Sequence, residues 1–254
     1  MPLILITNDD GITSVGIKTL VEIMQQIGEV VVVAPDSPQS GMGHAITIGD
    51  PLRLRQSTIF GDHIKAFECS GTPADCVKIG KNHVLRGRKP DLLVSGINHG
   101  SNTSVSVLYS GTMSAAIEAA IENIPSIGFS VRDFRPDADF SHTRDMARQI
   151  AEMVLQKGVP QGVALNVNFP EKSHTPIKGF KVCRQAKGKW EEQFEKRKDP
   201  YGRSYFWLDG GFVNFDESSE DTDEWALAQG YASIVPCQFD MTSYPTMEKL
   251  KSWF

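Results

Sequence analysis

Strand-length apolar runs that alternate with helical apolar stripes leave this chain few folds. Residues 2–7, Pro-Leu-Ile-Leu-Ile-Thr, have the length of a buried strand. Ile17, Leu20, Val21, Met24 and Ile27 then recur at helical spacing until Gly28 closes the pattern. A β-rich run at 30–34 follows at once, which is the spacing of a right-handed crossover between parallel strands. The alternation returns with a strand at 91–95, a helical stripe of Met113, Ala116, Ile117, Ala120 and Ile121, and a strand at 126–131. Met146, Ile150, Val154 and Leu155 stripe a further helix before a strand at 163–169. The expectation is an α/β fold, a doubly wound and mostly parallel sheet. Residues 44–48, 52–54 and 64–68 alternate over short stretches and predict a hairpin or edge strands. Thr72-Pro73-Ala74-Asp75 predicts a sharp helix start, with Thr72 as N-cap, Pro73 in the first position and Asp75 in the third.

After residue 176 the pattern changes. Residues 177–183 and 201–206 read as strands separated by a charged stretch and followed by an Asp209-Gly210-Gly211 turn. With 254 residues the chain can bury one large core with an appendage. We therefore expect a doubly wound core over 1–176 and a C-terminal oligomerisation extension over 177–254, of which 222–240 packs back on the core. A hairpin carrying Phe206, Trp207 and Phe212 would leave apolar surface in water unless another subunit covers it, which predicts a homo-oligomer. A short tail helix over 246–254, with Met247, Leu250 and Phe254 on one side, is too short to stand alone and is expected on a partner subunit.

The formal net charge of -5 weighs against a nucleic-acid polymer as partner, and the basic residues of 187–198 are interleaved with Glu191, Glu192 and Glu195 as on a solvated face. Cys69, Cys76, Cys183 and Cys237 form no CxxC pair, so they are expected as reduced core residues. The N-terminus lacks the features of a signal peptide, and no segment approaches the roughly 20 apolar residues that span a bilayer. A cytoplasmic location with no membrane partner is expected.

In an open parallel sheet, ligands collect at the carboxyl ends of strands, and three polar clusters fall there. The first is Asn8-Asp9-Asp10-Gly11, whose adjacent carboxylates repel each other unless a cation intervenes. Asp-Asp-Gly alone is more often a turn and cap than a catalytic site. The second cluster runs from Asp36 to His44 and is rich in Gly and Ser, with His44 retained as a phosphate contact. The third runs from Ser95 to Asn102 and leads to Ser110-Gly111-Thr112 at a helix start, where backbone N–H groups face an anion. Carboxylate, amide and hydroxyl oxygens suit Mg²⁺ or Mn²⁺ better than zinc. Asn98, His99 and Asn102 each have a purely structural explanation as turn or supporting residues. The weight of the argument rests on three clusters at three strand ends.

At these residues the chain resembles the survival protein SurE family. The motifs are ILITNDDG at 4–11, SGMGHAIT at 40–47, SGTPADCV at 70–77, SGINHGSN at 95–102, YSGT at 109–112, LNVNFP at 165–170 and TD…A…GYASIVP from 222 to 236. Together they cover most of the chain in order. The resemblance implies a Rossmann-like core with swapped C-terminal elements in a homodimer or homotetramer. It implies a metal-dependent nucleotidase that hydrolyses nucleoside 5′-monophosphates, and 3′-monophosphates in some relatives. It also implies one divalent ion per subunit, Mg²⁺ or Mn²⁺, on Asp9, Asp10, Ser40 and Asn98, with Asp9 and Asp10 catalytic. Asn102, Ser110, Gly111 and Thr112 match the family's phosphate pattern. The chain departs at Thr103-Ser104-Val105-Ser106, where many relatives carry a Gly and acidic residues, and at Ser114 and Ala119. Two other classes of protein share parts of this pattern. A receiver-like regulator would need a separate phosphoacceptor Asp and about half this length, and a nucleotide-binding protein without chemistry would bind but not hydrolyse.

Overall fold

The structure is a computed structural model that describes residues 1–135, 137–173 and 175–254. Its elements in chain order are β1 (Leu3–Thr7), α1 (Val15–Met24), β2 (Glu29–Pro35), β3 (Leu54–Ser57), β4 (Lys65–Cys69), α2 (Pro73–Ile79) and β5 (Leu92–His99). There follow α3 (Gly111–Ile121), β6 (Ser126–Val131), α4 (Arg144–Lys157), β7 (Val163–Phe169), β8 (Phe180–Val182), β9 (Gly188–Lys198), β10 (Ser204–Asn214), α5 (Asp223–Ala228), β11 (Ala232–Gln238) and α6 (Tyr244–Leu250). A nine-stranded sheet runs β3-β4-β2-β1-β5-β6-β7-β11-β8, parallel except where β3 meets β4 and β11 meets β7.

The period-two alternation of the strands builds the layers. Ile4 and Ile6 of β1, with Val32 and Phe129, pack on Ile17 and Leu20 of α1 and Ile150 and Val154 of α4. Leu3 and Leu5, with Val31 and Val33, face the other way onto Cys76 and Val77 of α2 and Ala115 and Ala119 of α3. With both faces covered, the central strands are continuous apolar runs, which is why they were readable as buried strands. The capping box at Thr72 and Asp75 forms in both directions. No described helix is long and apolar enough to cross a membrane.

Several local expectations change. Residues 44–48 are not a strand: this segment is held instead by Thr47, whose N–H and hydroxyl donate to the Asp75 carboxylate. The strand expected over 177–183 shortens to β8. Asp209-Gly210-Gly211 is not a turn but lies inside β10, paired with β9 along its whole length. The hairpin reverses earlier, where the Asp199 carboxylate accepts from the N–H groups of Tyr201 and Arg203 at 2.9 and 3.0 Å and Gly202 adopts φ +78°. Beyond residue 176, β8 and β11 extend the main sheet, whereas β9 and β10 form a separate two-stranded ribbon.

Candidate metal and phosphate site

Neighbours of β1 in the sheet are β2 on one side and β5 on the other, so the winding reverses at β1 and a crevice opens at its carboxyl end. The turn after β1 is fixed by its own residues. Gly11 adopts φ +88°, Asn8 Nδ2 donates to Gly11 O and Ser14 Oγ at 2.9 Å each, and the Ile12 N–H donates to Pro35 O at 2.9 Å. Two consecutive carboxylates are thereby directed into one crevice. Asp9 is 4% exposed and Asp10 half-buried. Burial above all, then the charge of Asp10, pushes the Asp9 carboxyl up to about 6 against the hydrogen bond it accepts from Thr112. Burial also raises Asp10, against the opposing influence of His99, whose N–H donates to Asp10 Oδ2 at 3.4 Å.

The end of β5 is rerouted. Its register with β6 shifts between Ser95 and Asn98, the Gly96–Ile97 peptide is cis, and a Cβ on Gly96 would lie 2.3 Å from Phe129 O. Such a bulge re-aims the next side chain. Asn98 Nδ2 donates to Gly100 O at 2.8 Å, which leaves Oδ1 as the free end of the amide.

The loop after β2 is attached on both sides of the crevice: the Gln39 N–H donates to Asp9 O at 2.8 Å, and the Gly43 N–H donates to Tyr109 O at 3.2 Å. Ser40, the residue after Gln39, is exposed within this loop. Ser110 caps α3 by accepting from the Met113 N–H at 3.0 Å. Gly111 and Thr112 form the first turn of α3 directly against Asp9, because a Cβ on Gly111 would lie 2.6 Å from Asp9 Cβ and Thr112 Oγ1 donates to Asp9 Oδ1 at 2.5 Å. The structure thus brings Asp9, Asp10, Asn98, the loop of Ser40 and the N-terminus of α3 together.

Two expected phosphate contacts have other partners. His44 Nε2 lies 2.9 Å from Glu118 Oε2, so this ring braces the loop instead of facing the carboxylates. Asn102 is buried: its side chain donates to Ser130 Oγ at 2.8 Å, its N–H donates to Asn168 Oδ1 at 2.7 Å, and its carbonyl accepts from Asn166 Nδ2 at 2.8 Å. It orders the 101–103 segment from beneath, and the motif LNVNFP supplies the two asparagines that hold it. The Thr112 hydroxyl is likewise spent on Asp9, whose carboxyl also accepts from the Thr112 backbone N–H.

Glu118 was not anticipated. It is buried at 3% exposure, between His44 and Lys78, whose Nζ donates to Glu118 Oε1 at 2.6 Å. Burial works to raise this carboxyl, but the bonds to His44 and Lys78 together hold it below the ordinary range. Its one signal in the sequence is a lone acid in the apolar stripe of α3. A cavity of about 870 Å³ is lined by His44, Ser114, Ile117, Cys237 and Phe239 among others, and by none of Asp9, Asp10, Ser40 or Asn98. Its size does not make it the centre of the chemistry.

Comparison with known proteins adds to this geometry. The family model described as Survival protein SurE matches residues 4–192. A protein of Cytophaga hutchinsonii named 5′-nucleotidase SurE is 64% identical over 253 residues, covering 99% of this chain and 97% of its own. A protein of the same name from Christiangramia forsetii is 60% identical over 253 residues, with 99% and 96% covered. Among solved structures, the crystal structure of the SurE protein from Aquifex aeolicus is similar with a TM-score of 0.84 at 40% identity, covering 99% of each chain.

Proposed function

The chain belongs to the survival protein SurE family, and we infer that it is a 5′-nucleotidase, a phosphoric monoester hydrolase that converts nucleoside 5′-monophosphates to nucleoside and phosphate. We further propose that it works with one divalent cation, Mg²⁺ or Mn²⁺, held by Asp9, Asp10, Ser40 and Asn98. The donor chemistry fits: two carboxylates, a hydroxyl and an amide are all hard oxygens, and a set with only two acids leaves room for retained water. Among the described residues no three His, Cys, Asp or Glu side chains converge anywhere, so no softer nitrogen or sulfur site competes. The cost of burying Asp9 beside Asp10 also supports a cation between them, since a dication reverses the local repulsion.

Bound there, the cation would polarise the phosphoryl group and neutralise charge gathering in the transition state. The chain's own residues do the rest. The open N–H of Gly111, at the positive end of α3, binds a phosphoryl oxygen and the Ser110 hydroxyl donates to another, while the Thr112 N–H and hydroxyl are both given to Asp9. Thr112 holds Asp9 in one orientation through its hydroxyl. Asp9 and Asp10 orient the ester, and attack comes either from a water they position or from one of these carboxylates. Recovery of a hydroxylamine-sensitive phosphoryl label on Asp9 or Asp10 after rapid quenching would exclude the water-only route.

The observation that carries this reading is the meeting of Asp9, Asp10 and Asn98 with the first turn of α3 at the reversal point of the sheet. Its test is a panel of nucleoside 5′- and 3′-monophosphates titrated with Mg²⁺ and Mn²⁺, for the natural chain and for Asp9→Asn. Full metal-dependent hydrolysis by Asp9→Asn would sink the assignment. We also propose a homodimer or homotetramer, because Phe194, Phe206, Trp207 and Leu208 on the ribbon and Trp253 and Phe254 on the tail are each more than half exposed. Light scattering on the eluting protein tests this: a strict monomer at micromolar concentration refutes it. A cytoplasmic location is proposed on the four cysteines, all free.

A further inference from the structure

The TD…A…GYASIVP motif at 222–236 lies outside the stretch that the family model matches, 4–192, yet its first residues reach the proposed site. Asp223 opens α5 and is buried, and its carboxylate accepts from the N–H groups of Ser104, Ala186 and Glu224 at 2.9 Å each. Glu224 accepts from the Thr103 hydroxyl, with an Arg132 guanidinium nitrogen 3.7 Å from its other oxygen. Two successive residues of α5 thus hold two successive residues of the segment that joins Asn98 to Ser110. We propose that Asp223 and Glu224 are positioning residues for the phosphate-binding turn, so that the C-terminal extension sets the geometry of the site.

Three observations support the assignment, which rests on the nucleotidase reading above. First, the place of attachment is a joint. On one side Asn102 is fixed from beneath by Asn166 and Asn168, four residues after Asn98; on the other a 3₁₀ turn over Ser104–Leu108 leads to Ser110, the cap of α3. Residues 103 and 104 lie between, so a shift there moves the phosphate donors relative to the proposed ligand Asn98. Second, the joint is strained. Ser104 adopts φ +51°, a left-handed conformation that is costly for a residue with a side chain and persists only where the surroundings over-determine it. Here they do. Its N–H is given to Asp223 and its hydroxyl to Ala186 O at 2.9 Å, while the Ala186 N–H goes to Asp223 as well. Third, stability does not account for Asp223. Its neighbours Asp221 and Glu224 pair with Arg184 and Arg132, but Asp223 has no cationic partner among the described residues. Burial raises its carboxyl against the three N–H bonds, and a raised folded value means that stability is lost as pH rises toward neutrality. A buried charge that works against the folded state is retained here where it fixes the joint.

The test compares the natural chain with Asp223→Asn, Glu224→Ala, Glu224→Gln and Ala226→Gly. Asn keeps the shape of Asp but turns an amino group toward one of the three N–H donors. Ala226 is buried in the same helix against Cys183 and Val235, so a glycine there loosens α5 without removing either tether. For each protein, kcat and KM on AMP and the inhibition constant of inorganic phosphate are measured with the same cation, well below the melting temperature, which is also recorded. Deuterium exchange over 103–106 is followed in chelator. Asp223→Asn and Glu224→Ala are expected to lower kcat by about tenfold to a hundredfold and to weaken inhibition by phosphate, as a misplacement on the order of 1 Å would. Exchange over 103–106 should be faster in Asp223→Asn. Glu224→Gln, whose amide oxygen still accepts from Thr103, should keep natural values, and Ala226→Gly should lose melting temperature alone. Natural kcat and phosphate inhibition in Asp223→Asn and Glu224→Ala would overturn the positioning role, whatever their melting temperatures, and so would an equal loss of kcat in Ala226→Gly. Failure of the natural chain itself to hydrolyse AMP would refute the nucleotidase reading, and the positioning role with it.

Discussion

Replacing Asp9 by Asn should make the metal-free protein more stable while removing its function. The reason is the state of the Asp9 carboxyl, held at about 6 in the folded chain against an ordinary value of 3.8. A group whose folded pKa is raised keeps its proton in the native state over a range where the unfolded chain has released it. Stability therefore falls as pH rises from about 4 to about 6 and stays low above that. At 1.36 kcal/mol for each pH unit in that window, Asp9 costs the metal-free protein about 3 kcal/mol at pH 7.5. Asn has the same shape and its Oδ1 still accepts from the Thr112 hydroxyl, so the variant loses the penalty and keeps the hydrogen bond. The assay is urea unfolding after chelation, at intervals from pH 4 to 8. The natural chain should lose stability across pH 4 to 6, the variant should not show that loss, and the gap at pH 7.5 should approach about 3 kcal/mol in favour of the variant. Saturating Mg²⁺ or Mn²⁺ should then restore the natural chain, by about 2.7 kcal/mol at a hundredfold excess over Kd, and leave the variant unmoved. A variant less stable than the natural chain in chelator at pH 7.5, or two parallel pH curves, would refute the argument.

Three further outcomes are expected. Thr112→Val removes the hydroxyl that orients Asp9 and should lower kcat on AMP on the order of a hundredfold with KM little changed, measured under saturating cation. Gly111→Ala places a methyl group 2.6 Å from Asp9 Cβ, so it should abolish turnover while the far-ultraviolet circular dichroism stays native. Glu118→Gln leaves Lys78 without its buried counter-charge and should lower unfolding free energy by about 1–3 kcal/mol in urea titration, with the loop at Ser40 becoming more open to proteolysis.

The strands buried on both faces, β1, β2, β6 and β7, were legible in the sequence because burial forces a continuous apolar run. The ribbon was not. Residues 188–198 expose both faces, so β9 shows no alternation, and Gly210-Gly211 looked like punctuation although both pair with glutamates across the ribbon. The true reversal depends on Asp199 satisfying two N–H groups, a bond that no spacing rule separates from ordinary acidic surface. At the candidate site, Asp9 and Asp10 stood out because two carboxylates at one strand end need a reason. Glu118 did not, since its partners Lys78 and His44 lie 40 and 74 residues away. Asn102 and Thr112 had the right neighbourhood, but their side-chain bonds are to Ser130 and Asp9. Residue type alone does not distinguish an anion donor from a brace.

The reversal of the sheet at β1 also has a kinetic side. Asp10 and the His99 N–H that reaches it are separated by 89 residues, and they meet only after β5 has docked beside β1. Pairings of such long sequence separation close late and slowly, because their loop entropy is spent before contacts repay it. A nascent or refolding chain therefore presents Asp9 and Asp10 on β1 well before Asn98 arrives to complete the set. Recovery of cation-dependent stabilisation during refolding should accordingly trail the recovery of helical signal, which makes the ion a reporter on the closing of the molecule's central seam.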